Sequence, residues 1–142
     1  VANAAFTNFK AGILSADFDL AVASIKAMLV RGYSFNAAHV TVADVVSAGG
    51  VVNGTSAALA SATVTGGVFD AADTSVTTTA SASNHILLLA QTSAVTGGAD
   101  LPASGQLVIA YYDTGSGLPI QPGTGSVAIT WSAGAAKILA VT

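Results

Sequence analysis

The chain has 142 residues, a mass of 13.8 kDa and a formal net charge of -3, with only 8% of its side chains charged. It contains no Cys and no Glu, which excludes disulfide scaffolds, zinc ribbons and thiol catalysis, and its 4 Lys and Arg are too few for a basic nucleic-acid face. A hydrophobic content of 52% with a mean hydropathy of +0.69 is too high for a disordered chain, and the length suits one domain.

Residues 2–16 carry Phe6, Phe9, Ile13 and Leu14 at spacings of three and four, which predicts one apolar face of a short helix. Gly12 weakens that helix by roughly 1 kcal/mol relative to Ala. Residues 17–20 read as a turn. Residues 20–31 fit two periods. As a strand, Ile25, Ala27 and Leu29 oppose Lys26, Met28 and Val30; as a helix, Val22, Ile25, Met28 and Leu29 share a stripe. We read a strand, a choice that rests on the resemblance given below. Residues 32–50 hold a loop and a helical turn over 39–46, punctuated by Gly49 and Gly50.

From Val51 onward short β-type runs replace the helical spacing. They cover residues 57–64, 67–70, 85–90, 106–112, 126–131 and 137–141, with Gly- and Pro-rich connections between them. The Thr/Ser/Ala stretch of 73–83 fits an edge strand or a loop. Residues 106–112 are apolar on both faces, so that strand is central or is covered by another subunit. Val127, Ile129 and Trp131 share one face of the next strand. The predicted fold class is mainly β: a jelly-roll-like antiparallel β-sandwich with a short N-terminal helical segment, forming one domain over 1–142. The longest apolar windows, 20–30 and 86–90, fall short of the roughly 20 residues of a spanning helix. No charged-then-apolar leader opens the sequence. A soluble chain without a transmembrane span is expected.

The chemistry-bearing residues are sparse. His85 precedes an Ile-Leu-Leu-Leu run and reads as the opening of a buried strand. His39 with Asp44 could be ligands, but two residues do not make a site. Asp17 with Asp19, and Asp70 with Asp73, suit turn capping better than calcium, which prefers several clustered oxygens. Gly115-Ser116-Gly117 lacks the spacing of a hydrolase elbow. No catalytic residue, cofactor site or metal site is expected. Tyr111 and Trp131 read as core, whereas Tyr112 is the better candidate for an exposed or interface position. A charge-poor chain of this size also points to an outer surface covered by assembly.

The order Asn3-Ala4-Ala5-Phe6-Thr7-Asn8-Phe9-Lys10, Ile25-Lys26-Ala27-Met28-Leu29-Val30, Tyr33-Ser34-Phe35, Ala38-His39 and Asp44-Val45-Val46-Ser47 resembles a family of small structural proteins of tailed bacteriophages. Residues 106–113, 126–131 and 138–139 resemble its later strands, while residues 54–83 depart most. The resemblance implies a non-enzymatic capsid decoration or cement protein. It would be a homotrimer on the outer surface of the virion, made in the host cytoplasm, with itself and the major capsid protein as partners and neither nucleic acid nor membrane. Phe6, Phe9 and Tyr112 are the candidate interface residues. Residues 1–19 form either an arm that clamps a neighbour or a helix packed on its own sandwich. A tail or head-tail connector component and a carbohydrate-binding β-sandwich are the alternatives.

Overall fold

Two long apolar runs organise the molecule. In a computed structural model, which describes residues 3–135 and 137–140, they are the neighbouring strands β2 (Ser24–Arg31) and β7 (His85–Ser93). The other elements, in chain order, are β1 (Ala4–Ala5), α1 (Thr7–Leu14), α2 (Val42–Ser47), β3 (Val51–Thr55), β4 (Thr63–Thr65), β5 (Val68–Asp70), β6 (Thr74–Thr78), β8 (Leu107–Tyr112), β9 (Gly125–Ile129) and β10 (Leu139–Ala140). The fold is mainly β. A five-stranded sheet runs β1-β8-β7-β2-β3, a three-stranded sheet runs β10-β5-β4, and β6 pairs with β9. All of these pairings are antiparallel.

The five-stranded sheet is covered on both faces. Register places Leu29, Leu87 and Tyr112 side by side across β2, β7 and β8, and Met28, Leu88 and Tyr111 side by side on the opposite face. The second face lies under the segment between β2 and β3. Tyr33 and Phe35 set their rings 6.0 and 5.2 Å from Tyr111, and Phe6 adds its ring 5.0 Å from Phe35. Backbone bonds from Val42 N–H to Gln106 and from Val108 N–H to Val40 stitch that segment to the edge of β8. The first face is covered in part by the β6–β9 pair. Gly54 sits opposite Leu29, and a Cβ there would come within 2.6 Å of both the Thr77 carbonyl and Val76. Only glycine lets the two layers approach so closely. Sealing on both faces explains why β8 and the central runs of β2 (Ala27–Val30) and β7 (Ile86–Ala90) are apolar on both sides rather than alternating. Each Leu or Ile they bury contributes roughly 1.5–3 kcal/mol.

The helices follow from local chemistry. Thr41 caps α2: its hydroxyl accepts from the Asp44 N–H, and the Asp44 carboxylate accepts from the Thr41 N–H at 2.8 Å. This reciprocal pair satisfies donors that the first turn would leave open. α1 tolerates Gly12 because the ring of Phe18 occupies the space a Cβ would need. The expected apolar stripe of this helix is correct at Phe6 and Phe9, both buried, and Ile13, partly buried. It is wrong at Leu14, which is 88% exposed because the helix ends there and the chain turns away at Ser15.

The strand reading of residues 20–31 matches β2 over Ser24–Arg31, and residues 20–23 belong to the turn before it. Most later runs also match, within a few residues, and Val141 lies outside the described residues. The 73–83 stretch contains β6, a strand in a two-stranded pair. Two expectations need correction. The run over 57–64 is irregular up to β4. Ser56 and Leu59 donate their N–H groups to the β2 carbonyls of Ala27 and Ile25, and the Ser56 hydroxyl takes the Ala27 N–H in place of a backbone acceptor. A side chain thus competes with the ladder, and Ser61 then turns the chain at positive φ. The other correction is β3, which stands between Gly50 and Ser56 where no separate strand was assigned.

Candidate interaction site

The sheets do not close completely on the Leu29–Leu87–Tyr112 face. A groove of about 430 Å³ remains, with those three side chains among its lining. Ile129 and Trp131, at and beyond the end of β9, contribute a second group, and Leu118 and Ile120 in the loop after β8 a third. The strand alternation seen in the sequence is what brings Val127, Ile129 and Trp131 to this side together.

Hydrogen bonds hold the walls. Tyr112 is half-buried and donates its hydroxyl to the Ile138 carbonyl at 2.7 Å. Burial pushes its phenol up to about 12. Trp131 donates its indole N–H to the Ala72 carbonyl at 3.1 Å and its backbone N–H to Asp73 at 2.8 Å. Ile120 exchanges backbone bonds of 2.7 and 3.0 Å with His85. Asn3 fixes the loop start: its side-chain oxygen accepts from the N–H groups of Asp113 and Thr114, and its amide donates to the Thr114 carbonyl. The polar tips of both aromatic residues are therefore engaged within the chain. Ring faces and aliphatic groups make up most of the lining, Asn3, Ser116, Thr130 and Ser132 add polar positions, and the Lys137 side chain that also lines it lies 3.6 Å from Asp70. Such a surface can exclude water and accept apolar groups of another molecule.

The structure separates the three candidate interface residues. Tyr112 lines the groove. Phe6 and Phe9 are fully buried within their own chain, at 0% and 1% exposure, with Phe6 against Phe35 and Phe9 edge-on to Phe18 at 5.2 Å. Of the two forms open to residues 1–19, the described part takes that of a helix packed on its own sheets, with β1 paired to β8. Both phenylalanines are occupied as core, so they have no free surface to offer a neighbour. Tyr111 is core, as expected, whereas Trp131 is half-buried on the groove.

Several of the other polar candidates have local partners, while the buried Nε2 of His85 and Oε1 of Gln91 have none among the described residues. Tyr33 and His39 Nδ1 are 2.9 Å apart, and the Tyr33 hydroxyl also accepts from the Asn36 N–H. Burial raises the Tyr33 phenol. The backbone N–H groups of Val40 and Thr41 hold the Asp44 carboxyl below its ordinary range. His85 is completely buried, with Nδ1 2.8 Å from the Ser83 carbonyl. Asp19 accepts from Ala21 N–H and Asp70 from Ala71 N–H, so both serve turns. Among the described residues no three His or Asp side chains converge, and no helix is long and apolar enough to cross a membrane.

The sequence pointed to Tyr112 but missed the groove. Its signal was Leu118 and Ile120, two large apolar residues inside a Gly- and Pro-rich connection where polar residues are the norm. No protein-family model, curated protein or solved structure matches this chain.

Proposed function

We propose that this chain is a non-enzymatic virion structural protein: a capsid decoration or cement protein that stabilises the head shell of a tailed phage as a homotrimer, on its outer surface. We read the three antiparallel sheets as a jelly-roll-like β-sandwich that serves as a rigid block. The supporting observation is the surface. Leu14, Val22, Val40, Val46, Val51, Val64, Val95 and Leu101 are each at least 36% exposed, on a chain with only 8% charged residues. Together with the groove at Tyr112 and Trp131 they provide many weak, non-ionic contacts. Contacts of that kind do not fade with salt as ion pairs do. A shell element that meets several subunits at once needs this type of adhesion, and a closed ring of three would use a different patch on each side of the subunit. The chain would be made in the host cytoplasm, with the major capsid protein as its partner.

Light scattering of the purified chain over a tenfold concentration range tests the assembly. A stable species near three times 13.8 kDa is expected, followed by co-sedimentation with undecorated heads of the phage that encodes it. Open-ended polymers would move the assignment to a tail or connector component. A monomer that ignores capsids but answers a glycan array would move it to a carbohydrate-binding module, the reading that Tyr112 and Trp131 on one groove would serve.

A further inference from the structure

We propose that Asn53 is a site of slow covalent modification in the folded protein, by deamidation through the amide nitrogen of Gly54, and that Thr79 governs its rate. Of the five asparagines, Asn3, Asn8, Asn36, Asn53 and Asn84, only Asn53 precedes glycine. Glycine puts no side chain in the way of the cyclisation. The fold adds a second condition. Register along β2 and β3 steps from Leu29 opposite Gly54 to Val30 opposite Val52. Asn53 is thus the extra residue of a bulge, on an edge strand of the five-stranded sheet. A bulged residue is left out of the ladder, and edges open at low cost. A single latch restrains the side chain: its amide donates to the Thr79 carbonyl at 3.1 Å, and its oxygen lies 3.4 Å from the Thr79 hydroxyl that donates to it. Thr79 is exposed, just beyond β6.

The step is balanced. The Gly54 nitrogen gives up its proton and attacks the side-chain carbon of Asn53. A C–N bond forms, ammonia leaves, and the succinimide is opened by water at either carbonyl to give aspartate or isoaspartate. Neither product can donate to the Thr79 carbonyl, and each places a carboxylate oxygen beside it. Reaction therefore adds one negative charge and opens the seam between β3 and the end of β6. The consequence is a one-way loosening of this edge with age, independent of the role proposed above.

The test is peptide mapping of the intact folded chain during incubation in mildly alkaline buffer, with isoaspartate detected by methyltransferase labelling. A parallel sample unfolded in urea sets the unrestrained rate. Asn53 is expected to convert ahead of the other four asparagines in the folded chain, several-fold more slowly than in urea. Thr79→Val, which removes the hydroxyl donor, is expected to speed conversion several-fold, and Thr79→Ser, which keeps it, to leave the rate unchanged. Circular dichroism verifies that both variants are folded. The proposal is overturned if the folded chain converts another asparagine first, if Asn53 converts only in urea, or if Thr79→Val reacts at the wild-type rate.

Discussion

The five-stranded sheet and the region around the groove are built from different residues, and they solve the packing problem differently. β2, β7 and β8 are centred on runs of Leu, Ile, Val and Ala, and cover on both faces buries nearly every side chain, the polar ends of β7 included. β4, β6 and β9 are Thr-, Ser- and Gly-rich. β4 is exposed along its whole length, while β6 and β9 alternate between a covered and an open side. Two-sided burial needs apolar residues at every position. One-sided burial needs them only at every second one, and the short side chains between leave gaps. The groove at Tyr112 is such a gap, at the boundary between the two regimes. Apolar burial is concentrated in the first region, and the groove opens at the edge of the second.

This contrast can be broken most directly in the sheet centre. Leu88→Ala removes a fully buried side chain and is expected to cost about 2–5 kcal/mol in denaturant unfolding; a loss below about 1 kcal/mol would mean that the sheet is not the stability core. The layer contact is the next largest. Gly54→Ala would push a methyl group against the Thr77 carbonyl and Val76, with an expected loss of about 1–3 kcal/mol typical of overpacking. A neutral result would show that the β6–β9 pair is free to shift.

At the groove, Tyr112→Phe leaves the Ile138 carbonyl without its hydroxyl donor, for about 1 kcal/mol. Here the pH dependence carries a sign. Burial raises the Tyr112 phenol to about 12, so above the ordinary tyrosine value of about 10 the unfolded chain loses this proton first. Stability is expected to fall as pH rises from about 10 towards 12, and tyrosinate absorbance of the wild type minus Tyr112→Phe should show the late ionisation. A difference spectrum at the ordinary value would show that the Tyr112 side of the groove is open to water.

The smallest effects belong to local chemistry. Thr41→Ala removes the cap of α2 and is expected to cost about 1 kcal/mol. Asp44 is held below its ordinary range by backbone N–H groups. Its stabilising share is therefore complete above the usual carboxylate value and lost as pH falls through the lowered one. Asp44→Asn should flatten that part of the acid unfolding curve. Lys26 and Asp100 lie at the surface, 2.6 Å apart. Replacing Lys26 by Met is expected to change stability by less than about 1 kcal/mol, and high salt should erase the difference.

Much of the first region was legible in advance, because its information is local and periodic. Residues 85–90 and 106–112 announced strands by apolar content, and two-sided apolarity in 106–112 announced a covered strand, whereas residues 20–31 fitted a helix as well and their strand reading rested on the resemblance. Less of the second region was legible. Residues 57–64 had strand composition, but the Ser56 hydroxyl entered the β2 ladder and ended regular pairing, a competition between side chain and backbone that composition does not reveal. Phe6 and Phe9 looked equally suited to an arm or a core, since their spacing describes only the helix that carries them. Their burial depended on Phe35, from the segment after β2, and on Phe18, from the turn after α1.

By itself, the sequence determined the mainly β class, the lack of Cys and the scarcity of charge, and the positions of β7 and β8, because propensity and periodicity act between near neighbours. The tertiary structure decided which residues meet. It placed β8 beside β7 rather than beside β9, drew Leu118 and Ile120 out of a turn-rich loop onto Tyr112, and put Asn53 in a bulge under Thr79. Those outcomes depend on register and on contacts between residues far apart in the chain, where burial of shared apolar surface and closure of hydrogen bonds outweigh local preference.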